Sequence, residues 1–273
     1  MRDIEIADLR KIAEMVKEKY QYDFSNYAMS SFKRRISRIL DLYSLTVETL
    51  LKKLSTEEGF VEIFLTEITV NVTEMFRDPS FWAVLKKQII SSILLNHKKF
   101  KIWHAGCSSG EEVYSMAITL KELGILNDVT VIATDIDNKI LNYAKAGVYN
   151  LKNMELNEKN YIQYHRSGSL KDYYEVKDGK AVMDKSLIEN VSFRKHDLVT
   201  GDVFNKFDLI ICRNVMIYFN QNLQNEVLTK LHASLFKYGY LAIGSKESLI
   251  WCDIAHKFIV VNNEEKIYKS IKD

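Results

Sequence analysis

Proline is almost missing from this chain: Pro79 is the single one in 273 residues. Cysteine is scarce too, and Cys107, Cys212 and Cys252 stand far apart, which suits neither a disulfide framework nor a zinc site. The six histidines are equally scattered and build no metal cluster. No apolar run approaches the length of a membrane span, and the charged, helix-forming opening residues hold no signal-peptide core. A formal net charge of +2 gives no bulk attraction to nucleic acid or membrane, so such binding would need a local patch. What remains is an ordinary globular composition, 47% apolar and 27% charged. The expectation is a cytoplasmic, reduced, metal-free monomer, with no nucleic-acid partner and no membrane insertion.

Two rhythms divide the chain. Residues 1–78 read as helices, with apolar stripes at helical spacing. One stripe is Leu9, Ile12, Ala13, Val16 and Tyr20, and a second is Phe32, Ile36, Ile39, Leu40 and Tyr43. Val47, Leu50, Leu51 and Leu54 make a third; Phe60, Val61, Phe64, Leu65 and Ile68 make a fourth. Pro79 then suits the first position of a helix carrying Phe81, Leu85, Ile89 and Ile93. A domain boundary is expected there, with residues 79–273 as the second domain. In that part, short apolar strands alternate with helices, at 101–105, 129–134, 191–195, 207–212 and 240–245, with a closing pair near 257–261 and 265–269. Such alternation implies a mostly parallel, doubly wound α/β sheet with a terminal hairpin. Asp178-Gly179, between two β-prone runs, signals another hairpin and hence a small inserted β-subdomain near 164–190.

The most informative stretch is Lys101 to Tyr114, where Ile102-Trp103 runs into small residues from Ala105 to Gly110. Glu111 and Glu112 then open an amphipathic helix. Small residues at a strand-to-helix turn let a ligand approach the backbone. About twenty residues on, the strand VTVIAT ends at Asp135-Ile136-Asp137, where an acid can hold both hydroxyls of a ribose. Together these features point to a nucleoside-bearing cofactor. With Gly106 and Gly110 alone, the turn does not separate a methyltransferase from a dehydrogenase.

Four ordered blocks make the chain similar to the CheR family, the S-adenosylmethionine-dependent methyltransferases that esterify glutamates on bacterial chemoreceptors. They are Thr69-Val70-Asn71-Val72-Thr73-Glu74-Met75-Phe76-Arg77-Asp78; His104 to Ser115; Ala133-Thr134-Asp135-Ile136-Asp137; and Cys212-Arg213-Asn214-Val215-Met216-Ile217-Tyr218-Phe219. Ala242 to Ser248 also fits, and the likeness covers nearly the whole chain. The resemblance implies a class I methyltransferase-like sheet behind an all-helical domain. It implies that Glu112 and the backbone from Ala105 through Gly106 to Gly110 cradle the amino-acid part of S-adenosyl-L-methionine. Asp135 would bind the ribose, and Asp197 and Leu198 would flank the adenine, although many relatives carry asparagine at the position of Asp197. Asn71, Thr73 and Arg77 would reach in from the domain junction, and Arg213, Asn214 and Tyr218 would close the methyl-transfer side. Arg77 and Tyr218 are the catalytic candidates, Arg77 to orient the acceptor carboxylate and Tyr218 to position the methyl group or the attacking oxygen.

Each residue also has a plainer reading. Glu111 and Glu112 suit a helix dipole, Asp135 and more so Asp137 suit a helix cap, Tyr218 suits a core, and Arg77 beside Asp78 suits a surface ion pair. Cys107 and Cys212 read as small buried residues. A glutamate acceptor, with an ordinary pKa of about 4.3, is already ionised at neutral pH and needs no general base. That agrees with the lack of a His–carboxylate pair legible in the sequence. Nucleic-acid amino-methyltransferases typically use a Pro-Pro-aromatic loop, and cytosine C5 enzymes a Pro-Cys pair; neither dipeptide occurs.

On the helix around Ser31 to Leu40, Arg34, Arg35 and Arg38 fall opposite the apolar stripe. They suit either a solvated face or, as the family implies, a docking face for an acidic helix of a chemoreceptor or related signalling protein, outside the cofactor pocket. The alternatives in function are a catalytically weak signalling adaptor that keeps the fold, and a methyltransferase for a small carboxylic acid.

Overall fold

The structure, a computed structural model, describes residues 4–69 and 73–271. Four helices come first: α1 (Ile6–Tyr20), α2 (Met29–Leu42), α3 (Val47–Thr56) and α4 (Phe60–Ile68). Their apolar stripes meet in one core, in which Leu9, Ile12, Val16, Ile36, Ile39, Leu50, Leu54 and Phe64 are wholly or almost wholly shielded. Tyr43, placed on the second stripe by its spacing, lies beyond the end of α2 and is exposed.

Pro79 opens α5 (Pro79–Val84), which continues without a break through a π-helical segment, Leu85–Ile90, into α6 (Ser91–Leu94). The π segment has a reason in the sequence. Phe81, Leu85, Ile89 and Ile93 repeat every four residues, a spacing that drifts about 40° per step around a regular α-helix. Local underwinding holds the stripe toward the core, and all four side chains are buried.

A seven-stranded sheet follows, built from β1 (Phe100–Ala105), β2 (Val129–Asp135), β6 (Val191–Lys195), β7 (Phe207–Cys212), β8 (Leu235–Ile243), β9 (Phe258–Asn262) and β10 (Ile267–Ser270). Its order is β6-β2-β1-β7-β8-β10-β9. The first five strands in that order are parallel, and β10 runs antiparallel between β8 and β9. The central strands are nearly continuous apolar runs because both faces are covered. On one face lie the helix from Pro79 to Leu94, α7 (Glu111–Glu122) and α9 (Leu151–Tyr164); on the other lies α10 (Gln221–Ala233). β8 begins five residues before the expected start at Tyr240; its exposed first half carries no unbroken apolar run.

The Asp178-Gly179 turn joins β4 (Tyr174–Lys177) to β5 (Lys180–Met183), with both turn residues at positive φ as a tight hairpin turn requires. A third strand, β3 (Val148–Asn150), pairs with β5, so the small sheet begins earlier in the sequence than the expected 164–190. β3 follows α8 (Asn138–Ala146) directly, and three residues are too few to display a period.

The helical layer rests on the carboxyl end of the large sheet. Ala28 N donates to Tyr218 O at 2.8 Å, and Asn220 N donates to Asn26 O at 2.9 Å. On the other side, Thr66 Oγ1 of α4 donates to Asp137 Oδ2 at 2.8 Å. The first four helices thereby roof the ends of β1, β2 and β7, where the switch of strand order opens a crevice.

Candidate active site at the carboxyl end of the sheet

The crevice has a floor, two side walls and a roof. Its floor is the turn after β1. Gly106 N and Cys107 N both donate to Thr134 O of β2, at 2.9 and 2.8 Å, which folds the turn back against the sheet. Gly106 has φ +81°, and a Cβ there would stand 2.6 Å from Val215 Cγ2. The glycine is therefore required twice, for its backbone angle and for the closeness of the opposite wall. Ala105 is buried in the sheet and does not line the crevice.

Asp135, at the end of β2, is 8% exposed. Its Oδ2 accepts from Ser108 N at 2.9 Å and its Oδ1 from Asp137 N at 3.2 Å. Burial raises its pKa to about 6, partly offset by those backbone donors. Asp137 takes the capping role: its Oδ1 accepts from Lys139 N at 2.7 Å, at the start of α8. The two neighbouring acids thus divide the work, one facing the crevice and the other closing a helix. Asp197 and Leu198 line the same wall. The Asp197 oxygens already accept from Val199 N at 2.8 Å and from Thr200 Oγ1 at 2.9 Å, so that carboxylate mainly shapes its own turn.

Glu111 and Glu112 also part company. Glu111 turns back to accept from Ser109 Oγ at 2.6 Å, and burial raises its pKa to about 7. Glu112 points into the crevice. Burial would raise its pKa, but His104 Nδ1, donating at 2.9 Å, and Arg213 outweigh that effect and hold it below the ordinary value. This His–carboxylate pair was not legible in the sequence, because His104 lies inside β1 among apolar neighbours.

Arg213, at the end of β7, has a side chain only 2% exposed. It pairs with Asp78 through Nη2 and with Glu112 at 3.4 Å through Nη1, and its guanidinium lies 4.1 Å from the centre of the Phe81 ring. Asp78 therefore belongs to Arg213 rather than to Arg77, and the expected Arg77–Asp78 surface pair does not form. Among the described residues, Arg77 has no ion-pair partner, and it lines the crevice with Thr73. Asn71 lies outside the described residues. Asn214 also lines the crevice; it sits at φ +61° and its N–H donates to Glu247 Oε2 at 3.1 Å. The buried Glu247 carboxylate also accepts from Ile217 N at 3.2 Å and from Gly244 N, which fixes the segment leading to Tyr218.

Tyr218 is held between this segment and the helical roof. Burial raises the pKa of its phenol, while Arg35, Arg77 and Arg34 draw it down. Arg35 is a correction to the sequence reading. It was grouped with Arg34 and Arg38 on a face outside the pocket; instead it lines the crevice with its Nε buried and unpartnered, and burial lowers its pKa. Arg34 and Arg38 remain exposed, and Arg38 Nε lies 3.5 Å from Glu67 Oε2. All three cysteines are buried and free of disulfides, in line with the reading of Cys107 and Cys212 as small buried residues.

Residues 71–267 match the family described as CheR methyltransferase, SAM binding domain, and residues 7–69 match the CheR methyltransferase all-alpha domain. The chain is 40% identical to Cher3 of Pseudomonas putida, over 98% of this chain and 97% of that one. It is 34% identical to a chemotaxis protein methyltransferase of Listeria innocua, over 90% of this chain and 93% of the relative. A chemotaxis protein methyltransferase of Vibrio cholerae is 35% identical over 74% and 73% of the two chains. With a helical roof over a doubly wound sheet, and matches that run through both, the chain belongs to the CheR methyltransferase family and carries its S-adenosylmethionine-binding domain.

Proposed function

We propose that this enzyme transfers the methyl group of S-adenosylmethionine to glutamate side-chain carboxylates of a chemoreceptor or a related signalling protein. The observation that carries this reading is the pair of arginines beside Tyr218. Arg35 and Arg77 both line the crevice and both act on the Tyr218 phenol, so the wall beside Tyr218 is cationic. A wall of that kind suits an anionic acceptor.

The opposite wall fits the cofactor. Gly106 lets the turn pass close beneath Val215, and the buried Asp135 carboxylate has lone pairs beyond its backbone donors Ser108 and Asp137 for ribose hydroxyls. Glu112 offers a carboxylate for an ammonium group, and Thr73, Leu198 and Asn214 complete the enclosure. When bound, S-adenosylmethionine supplies a methyl group on a sulfonium, open to in-line attack by an oxygen nucleophile.

A glutamate acceptor arrives ionised, so the chain's residues need not remove a proton. Their work is alignment and exclusion of water. Arg77 orients the carboxylate through a charge-assisted hydrogen bond, and Tyr218 fixes its approach from the side held by Ala28 and Glu247. Arg35 adds to the cationic field from the roof. Arg213 is occupied with Asp78 and Glu112 and serves to place both walls. Mass spectrometry of receptors from cells with and without the enzyme tests the proposal. Glutamates heavier by one methyl group only when the enzyme is present support it, and methylation confined to other side chains refutes it.

A further inference from the structure

Four large apolar side chains face solvent on segments hydrogen-bonded to the stretch around Tyr218. Ile217, directly before it, is 39% exposed, and Met29, one residue after the Ala28 that bonds to Tyr218 O, is 38% exposed. Ile250 and Trp251, in the loop after β8, are 73% and 79% exposed. Their neighbours Leu249 and Cys252 are buried in the core beneath, so the chain turns two consecutive large apolar groups outward between two inward anchors.

The loop is firmly mounted. Glu247 ties it to the backbone of Asn214 and Ile217, Gln221 Nε2 donates to Trp251 O at 2.9 Å, and Asn225 Nδ2 donates to Asp253 Oδ2 at 2.8 Å. An indole displayed on a fixed loop loses little conformational freedom on binding, and such residues dominate interface energies. The patch adjoins the Tyr218 segment on one side. The exposed cations Lys246, on the same loop, and Arg34, on α2, lie on the elements that border it.

We infer that Ile250 and Trp251, with Ile217, form an apolar docking knob for the acceptor protein, and that its occupant is a segment of that protein bearing both acidic and apolar residues. The inference rests on the proposed carboxylate acceptor. The acidic residues of the segment meet Arg34 and Lys246, one glutamate enters beside Tyr218, and neighbouring apolar residues cover the knob. The contact sets which glutamates present themselves, because it fixes the register of the segment against the crevice.

The chain offers a direct probe. Of its three tryptophans, Trp82 and Trp103 are buried, so emission open to acrylamide comes from Trp251. The experiment uses the purified cytoplasmic signalling fragment of a chemoreceptor from the same organism. Saturating fragment should lower the acrylamide quenching constant at least about twofold. Trp251→Ala should raise the KM for the fragment about tenfold while turnover at saturation and affinity for S-adenosylhomocysteine stay within about twofold, and Trp251→Phe should recover most of the loss. Methyl transfer with unchanged quenching and an unchanged KM overturns the docking knob alone. Protection of Trp251 that tracks enzyme concentration without fragment assigns the patch to a second copy of the chain and also overturns it. Absence of transfer by the unmodified enzyme brings down the acceptor reading, and this inference with it.

Discussion

Arg213 at the end of β7 pairs with Asp78, the residue just before the helix that opens at Pro79. This tie joins the sheet to the junction beneath the helical roof. It also takes Asp78 away from Arg77 and leaves that cation to the crevice. Arg213 is almost fully buried, so Asp78→Ala leaves its guanidinium with the longer contacts to Glu112 and the Arg77 carbonyl and with the face of Phe81. The expected loss is about 3 kcal/mol, the lower end for breaking a buried pair, because Asp78 keeps some exposure. For a chain of this size that is a fall in melting temperature of roughly 6–12 °C, measurable by calorimetry. A shift below about 2 °C would mean that the pair contributes nothing net.

In the proposed site, Asp135 links cofactor affinity to pH. Its pKa in the free protein is about 6, and a ribose is held better by the ionised form. Affinity for S-adenosylhomocysteine should therefore rise between pH 5 and pH 7 and then level off. Asp135→Asn should weaken binding by about 1.5–3 kcal/mol at pH 7.5 and flatten the pH profile. Titration calorimetry at several pH values measures both effects.

Glu111 should make the protein less stable as pH rises. Its folded pKa of about 7 lies above the ordinary carboxyl value of 4.5, so the folded state binds the proton more tightly. The stability from that proton is fully present below about pH 4.5 and is lost as pH climbs through about 7. Asp135 acts in the same direction. Glu111→Gln keeps a group able to bond Ser109 without ionising, and should reduce the decline in melting temperature between pH 5 and pH 8. An unchanged slope would remove Glu111 as a cause.

Much of this was legible in the sequence, for identifiable reasons. The four apolar stripes from Leu9 to Ile68 follow the helical period, and the buried parallel strands are continuous apolar runs, so both stand out without a structure. Asp135 and Asp137 could be told apart only as likelier binder and capper, and the hydrogen bond from Lys139 N to Asp137 supports that division. Arg35 could not be placed correctly: a helical wheel separates apolar from polar faces but does not reveal which polar residues a second layer will cover. The His104–Glu112–Arg213–Asp78 chain joins three segments distant in sequence, those of Asp78, of His104 with Glu112, and of Arg213, and no local pattern encodes it. β3 was too short to read, and the π segment announced itself only as a strict four-residue spacing.

The proposed reaction requires a carboxylate acceptor aligned by Arg77 beside Tyr218. The direct measurement incubates the purified enzyme with methyl-labelled S-adenosylmethionine and a chemoreceptor signalling fragment, then treats the product with base. The label should leave as methanol, as from a glutamyl methyl ester. Arg77→Ala should lower turnover about a hundredfold through misalignment, while affinity for S-adenosylhomocysteine stays within about threefold. Label that survives base would contradict a carboxylate acceptor, and equal losses of turnover and product affinity would make Arg77 a cofactor ligand instead.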